Sequence, residues 1–345
     1  MLPTKMVFTD ATGMQDRQID YGRDGEIAQA IIRVYHNLSQ HKQLSCPVGV
    51  WAKNFRKWEE RYIPALENEN VAEVGALLRN FFRNELSDGL ISHKGKSPLW
   101  LIVLRDIYTL TRLYPDIVLQ SLEIPPIGNP YGLVIDDFLI TPDAPRHYAH
   151  ARTIVEAVAN IEHPIILEIG SGYGGVWHFV TMLMGEKKFT YIMVDIEPVL
   201  FVAYYFAMNT LDVHGQGREF LLGDGEKSNI GLGADEVKRF STVFVPCMLI
   251  PMLDFRADLV YNSNSLCEMP RDEIDKYFEF IRKIAPRYMF LASNIWPLPV
   301  AGGSIVPLDE FPISHDYTVQ RWRYSGWAAG TGKLKEIIYA RTVGN

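Results

Sequence analysis

The chain has little cysteine, no surplus of basic charge and no long apolar run, and each shortage removes a class of function. Its three cysteines, Cys46, Cys247 and Cys267, are an odd number at spacings that make neither a disulfide framework nor a zinc knuckle, which fits a reducing cytoplasm. Lysine and arginine number 34 against 41 acids, a formal net charge of −7. No basic stripe with interleaved aromatics follows a phosphate backbone, so nucleic acid is not the expected partner. The most apolar run, Val243 to Leu253, contains Pro246 and Pro251 and is too short to span a bilayer, so no membrane partner is expected. The N-terminus, MLPTKMVFTDATG, has no basic segment leading into an apolar core and does not read as a signal peptide. Internal repeats and low-complexity segments are also missing.

What is present is enough for a large core: 345 residues, 48% of them hydrophobic, suggest one big or two modest domains. Apolar residues recur at helical spacing in three early segments. These run through Ile27, Ile31, Ile32, Tyr35 and Leu38; Val71, Val74, Leu77, Leu78, Phe81 and Phe82; and Leu99, Val103, Leu104, Ile107, Leu110 and Leu113. Asn70 and Ser97-Pro98 are helix starts. Pro125, Pro126, Gly128, Pro130 and Gly132 then punctuate the chain. The expected organisation is a helical N-terminal domain over 1–125, a linker and lead-in helix over 126–160, and a core over 161–345. The helical domain is expected to serve as a lid on the substrate side or as a homodimer contact.

The most informative stretch is PIILEIGSGYGG, Pro164 to Gly175. Ile165, Ile166 and Leu167 form the apolar run of a parallel strand buried on both faces. Gly170, Gly172 and Gly174 then let the backbone turn and approach a ligand before a helix begins near Gly175. Phe189 to Val194 reads as a second strand running into Asp195, roughly 20 to 25 residues after the glycines, where an acid takes the two hydroxyls of a nucleotide ribose. The glycines satisfy both G-x-G-x-x-G, for a dinucleotide, and E-x-G-x-G-x-G, for S-adenosylmethionine. Context separates the two. After Asp195 the chain has length for one seven-stranded unit but not for a second mononucleotide-binding half. A fifth strand, Arg287 to Ser293, is followed by an antiparallel pair, Tyr317 to Tyr324 and Lys335 to Val343, joined through Gly326, Gly330 and Gly332. The expected fold is α/β: a Rossmann-like seven-stranded class I methyltransferase sheet with an antiparallel last strand, preceded by helices.

From Gly128 to Val343 the chain resembles a family of sugar O-methyltransferases, through GNPYGLVIDD, LEIGSGYGG, VDIEP and DLVYNSNSLCEMP. The last of these, ending in Ser265, Glu268 and Met269, carries most of the discrimination. The resemblance implies S-adenosylmethionine as cofactor and a small-molecule acceptor, a sugar or glycosylated metabolite methylated on a hydroxyl. Two alternatives stand beside it: N- or C-methylation of another natural-product scaffold, and a nucleotide binder that keeps the loop without transferring methyl.

The cofactor is then expected on Glu168, Gly170, Ser171, Gly172, Tyr173 and Gly174, with Asp195 and Ile196 at the ribose. Cys247 and Met248 are expected beside the adenine if the third strand is Thr242 to Val245; Asp224 competes if it is Glu219 to Gly223. Asn262 and Asn264, past the fourth strand, offer amides to the cofactor amine or a sugar hydroxyl, or act as turn formers. A sugar hydroxyl is a weak nucleophile whose proton must leave, which calls for a general base. Candidates are Glu268, His315 in FPISHDY, and His147 or His150 in APRHYAHA. Glu268 has a second reading, as a complement to the dipole of a helix over 272–285. His178 and Trp177 are expected to be packed, with Tyr173 edging toward the cofactor. Asp254, Asp258 and Glu268 offer oxygens, but no spacing is diagnostic and no required metal is expected.

Overall fold

The protein, seen here as a computed structural model, is described over residues 6–10, 21–40, 44, 51–87, 99–214, 219–221, 232–297, 299–300, 303–327 and 333–342. Cys46, Ser97, Pro98, Asp224, Gly330 and Gly332 lie outside the described residues.

The first half is helical, as its periodicity requires. Helix α1 (Asp24–Gln40) buries Ile27, Ile31, Ile32, Tyr35 and Leu38 on one face. Helices α2 (Trp51–Trp58), α3 (Tyr62–Glu67) and α4 (Val71–Arg79) follow. The Asn70 side chain caps α4 by accepting the Glu73 backbone N–H at 3.1 Å. The apolar rhythm continues to Phe82, but the helix stops at Arg79, and Phe81 and Phe82 are buried in the turn beyond it. After helix α5 (Leu99–Leu113), β2 (Tyr131–Ile135) and β3 (Phe138–Ile140) form a small antiparallel sheet with β1 (Met6–Asp10), which comes before α1. Helix α6 (Ala144–Ala157) then leads into the main sheet.

That sheet is built from β4 (Ile165–Ile169), β5 (Thr190–Asp195), β6 (Glu219–Leu221), β7 (Thr242–Pro246), β8 (Leu259–Ser263), β9 (Tyr288–Asn294), β10 (Tyr317–Tyr324) and β11 (Leu334–Arg341). Their spatial order is β10-β11-β9-β8-β4-β5-β7-β6. The pairs β4–β5, β5–β7, β6–β7, β4–β8 and β8–β9 are parallel, whereas β11 runs antiparallel to both β9 and β10. This is the class I methyltransferase order, with its last strand inserted in reverse, plus one short additional strand at the edge. The seven expected strands are all present, and an eighth is added at the edge because both segments weighed for the third position are strands. Thr242–Pro246, buried at every position, takes the inner place beside β5, and Glu219–Leu221 pairs outside it.

Helices α7 (Gly175–Met184), α8 (Glu197–His214) and α9 (Arg271–Ile284) connect the strands. Trp177 of α7 is fully buried and donates its indole N–H to Thr242 at 3.0 Å, which fastens that helix to the sheet. The helical half is not a separate body of hydrophobic packing: buried residues from Ile27 to Ile338 form one cluster. Buried Asp24 of α1 joins the halves, accepting from the Tyr205 hydroxyl of α8 at 2.9 Å and from Arg79 at 2.6 and 2.8 Å. Strand order reverses between β4 and β8, and at such a point an open sheet leaves a crevice beyond the strand carboxyl ends.

Candidate active site

The crevice is there. A cavity of about 120 Å³ lies at that edge, walled by Gly170 and Gly172 after β4, by Val194, Asp195 and Ile196 at the end of β5, and by Ser263 to Ser265 after β8. Glu268 and Met269 close one side, Tyr277 of α9 another, and Trp51 of α2 reaches in from the helical half.

The glycine loop is shaped by conformations that only glycine holds without strain. Gly170 and Gly174 have φ of 76° and 88°. At Gly170 space is limiting as well, since a Cβ there would fall on the Ser265 side chain. The Gly170 N–H is tied to Val194 O at 2.8 Å, which binds the loop to β5. Asp195 completes the turn: its Oδ2 accepts the Gly172 N–H at 3.0 Å and its Oδ1 the Ile196 N–H at 2.8 Å. Burial pushes the Asp195 carboxyl up to about 7; the two N–H groups oppose this, while Glu197 and Glu268 add to it.

Glu268 ends a short turn, Leu266–Glu268, after β8, and its Oε2 accepts the Trp51 indole N–H at 3.1 Å. Burial pushes its carboxyl up to about 7, with the indole N–H pulling the other way. The dipole reading of Glu268 therefore has a competitor in the structure, because this carboxylate is engaged by Trp51, while Asp272 and Glu273 occupy the first turn of α9. Ser171 Oγ and Asn264 Oδ1 are also buried without a hydrogen-bond partner among the described residues.

The remaining residues singled out by sequence lie at varied distances from this cavity. Glu168 is buried inside β4, takes the Tyr191 hydroxyl at 2.9 Å, and is held well above the usual carboxylate range by burial. Asn262 is fully buried and donates to Ile169 O at 2.7 Å, so its amide pins β8 to the end of β4. The Tyr173 ring packs among Phe81, Phe82, Phe206 and His147. His147 is buried beneath the loop, where its ring occupies the space a Cβ on Gly175 would need. Burial, with Arg146 alongside, lowers its pKa to about 3. His150 is buried between Tyr261, at 2.7 Å, and Glu336, and burial lowers its pKa. His178 is packed, its Nε2 3.3 Å from Glu123 O. His315 is exposed in the turn before β10, and Cys247 and Met248 sit in the turn after β7; none of the three lines the cavity. Asp258 accepts the Ile165 N–H at 2.8 Å at the far end of the sheet. Among the described residues no group of three His, Cys, Asp or Glu side chains is placed to hold a metal ion.

Sequence reasoning missed Trp51 and Tyr277. Trp51 lies 217 residues from its partner Glu268, and no local pattern marks such a pair.

No family model and no curated protein matches the chain. It is similar to the magnesium protoporphyrin IX methyltransferase of Synechocystis PCC 6803 determined with bound S-adenosylmethionine, at 12% identity over 77% of this chain and 96% of that one, with a TM-score of 0.40. It is also similar to the [4+2]-cyclase SpnF, at 13% identity over 59% and 84% of the two chains, with a TM-score of 0.39. A third likeness is to the glycopeptide N-methyltransferase MtfA complexed with S-adenosylmethionine, at 13% identity over 56% and 94%, with a TM-score of 0.37. At these identities and scores the likenesses carry no functional assignment.

Proposed function

We propose that the protein is an S-adenosylmethionine-dependent methyltransferase acting on a hydroxyl of a sugar or sugar-like small molecule. One observation carries the cofactor assignment: the charged side chains lining the cavity, among the described residues, are two carboxylates, Asp195 and Glu268, beside a glycine loop. Asp195 suits the ribose of either ligand, so the acid that disfavours a diphosphate is Glu268, with no lysine or arginine beside it in the described lining. A sulfonium with an ammonium group has the opposite sign, and a bound cation favours the ionised form of both acids.

The residues fit such a ligand. Asp195 would take the ribose hydroxyls, the loop from Gly170 to Gly174 would let the backbone approach, and the unpartnered Ser171 Oγ and Asn264 Oδ1 are acceptors suited to its amine and hydroxyls. When bound, the cofactor supplies a methyl activated by its sulfonium. The chain's own tasks are alignment, exclusion of water and removal of the acceptor proton. For the last, Glu268 lies on the cavity wall with a carboxyl raised to about 7, near the operating pH of an effective base. It would take the proton that the acceptor hydroxyl gives up on methylation. A base of this kind supports an oxygen acceptor over an amine, which needs none. The indole of Trp51 beside the carboxylate suits a sugar, which offers an apolar ring face together with hydroxyls. Net charge of −7 gives no attraction to nucleic acid.

The test is incubation of the protein and S-adenosylmethionine with an extract of its host, followed by mass spectrometry. A product heavier by one methylene, lost with Glu268→Gln, is expected. A product that forms equally well with that variant would remove Glu268 as the base.

A further inference from the structure

We infer that Trp51, from the helical half of the chain, is a positioning residue for Glu268: its indole N–H holds one carboxylate oxygen and leaves the other to face the acceptor. This rests on the reading of Glu268 as the base and adds the residue that orients it.

The contact is built from both sides. Glu268 stands at the end of a single short turn and, among the described residues, Trp51 is its hydrogen-bond donor, at 3.1 Å. Trp51 in turn occupies the first position of α2, whose other end is anchored. Trp58, seven positions on, is fully buried and donates its own indole N–H to Glu85 O at 3.0 Å. Trp51 and Phe55 both pack against the Trp58 ring, with centroids at 6.1 and 6.2 Å. A donor on a two-χ aromatic side chain, fixed to an anchored helix, loses little freedom in holding a carboxylate. A carboxylate without that donor would rotate about its last torsion and offer either oxygen.

The same N–H also sets when the carboxylate ionises. It opposes the upward push of burial on Glu268, since a hydrogen bond to the charged form favours that form. The titratable groups that share the cavity are Asp195 from the end of β5 and Tyr277 from α9, with Cys267 next to Glu268 in its own turn. None of them is basic, so among the described residues Trp51 is the contact that eases ionisation. The helical half thereby supplies part of the machinery for proton removal, and not only cover for the crevice.

The experiment is Trp51→Phe, which keeps an aromatic ring and removes the donor. In protein carrying 13Cδ-glutamate, the Glu268 carboxyl resonance is identified by its loss in Glu268→Gln and followed against pH, which needs no acceptor. Its titration should move to higher pH in Trp51→Phe. Turnover at neutral pH should fall about tenfold, the ascending limb of the pH profile should move with the titration, and the Kd of S-adenosylhomocysteine should change less than about twofold. An unmoved titration and limb in a folded variant would overturn the inference, as would a loss of S-adenosylhomocysteine binding with the limb in place. If Glu268→Gln retains turnover while the titration still moves in Trp51→Phe, the contact stands and the base assignment is what fails.

Discussion

Glu268→Gln should make the protein more stable at high pH and nearly inactive, and the stability half of that statement follows from burial alone. The Glu268 carboxyl is moved from an ordinary 4.5 to about 7 by desolvation. Between those values the folded chain keeps a proton that the unfolded chain has released, so stability falls as pH rises through the window and stays low above it. At 1.36 kcal/mol per unit, this one group costs the wild type about 3 kcal/mol at pH 8 relative to pH 4. Glutamine cannot ionise, and its amide oxygen still accepts the Trp51 N–H. Asp195 shifts in the same direction, because the Glu268 charge is one of the influences raising it. Urea unfolding of both proteins at pH 4.5 and pH 8 should therefore give nearly equal stabilities at the lower pH and a variant more stable by about 3 kcal/mol at the higher. A gap of the same size at both pH values, or a variant less stable at pH 8, would refute the burial argument. Turnover of the same variant should fall by about two to four powers of ten with S-adenosylhomocysteine affinity nearly unchanged.

The other predictions concern the loop, the ribose site and the joint between the halves. Asp195→Ala should weaken S-adenosylmethionine binding by about 1 to 3 kcal/mol in calorimetry while the chain stays folded; unchanged affinity would remove Asp195 from the ribose. Gly170→Ala puts a Cβ at φ 76° and onto Ser265, so binding should be lost and thermal stability lowered, and a variant that binds normally would contradict the loop geometry. A chain starting near Gly128 would strip α1 from α8 and Phe81 and Phe82 from Tyr173, and should show no cooperative unfolding in circular dichroism. The preference for cationic S-adenosylmethionine over neutral S-adenosylhomocysteine should fall between pH 8 and pH 5.5 as Asp195 and Glu268 take up protons; a constant ratio would mean that these acids do not face the sulfonium.

What could be read from the sequence was local. The run Ile165 to Leu167, the glycines after it and Asp195 lie within one strand–loop–helix–strand unit, and a buried parallel strand, positive φ and an acidic strand end each leave a mark in composition. The antiparallel finish was equally legible, because two strand-forming segments around a glycine-rich turn admit few arrangements. The additional strand at Glu219–Leu221 was weighed only as a rival, since its pattern does not say whether it joins the sheet inside or outside Thr242–Pro246. Side-chain environments were the least legible. His147 and Tyr173 read as groups near a ligand, yet the packing of α6 on α7 and of Phe81 and Phe82 on the loop surrounds both with protein. Trp51 gave no signal at all, because its partner is distant in the chain and only the packing of α2 brings the two together.

The most direct test of the cofactor assignment is calorimetric titration of the full chain with S-adenosylhomocysteine, S-adenosylmethionine and reduced nicotinamide adenine dinucleotide under the same conditions. The acidic, glycine-lined cavity predicts one-to-one binding of the two adenosyl sulfur compounds, tighter for the sulfonium at pH 8, and no measurable heat from the dinucleotide. Binding of the dinucleotide with none of S-adenosylhomocysteine would contradict it.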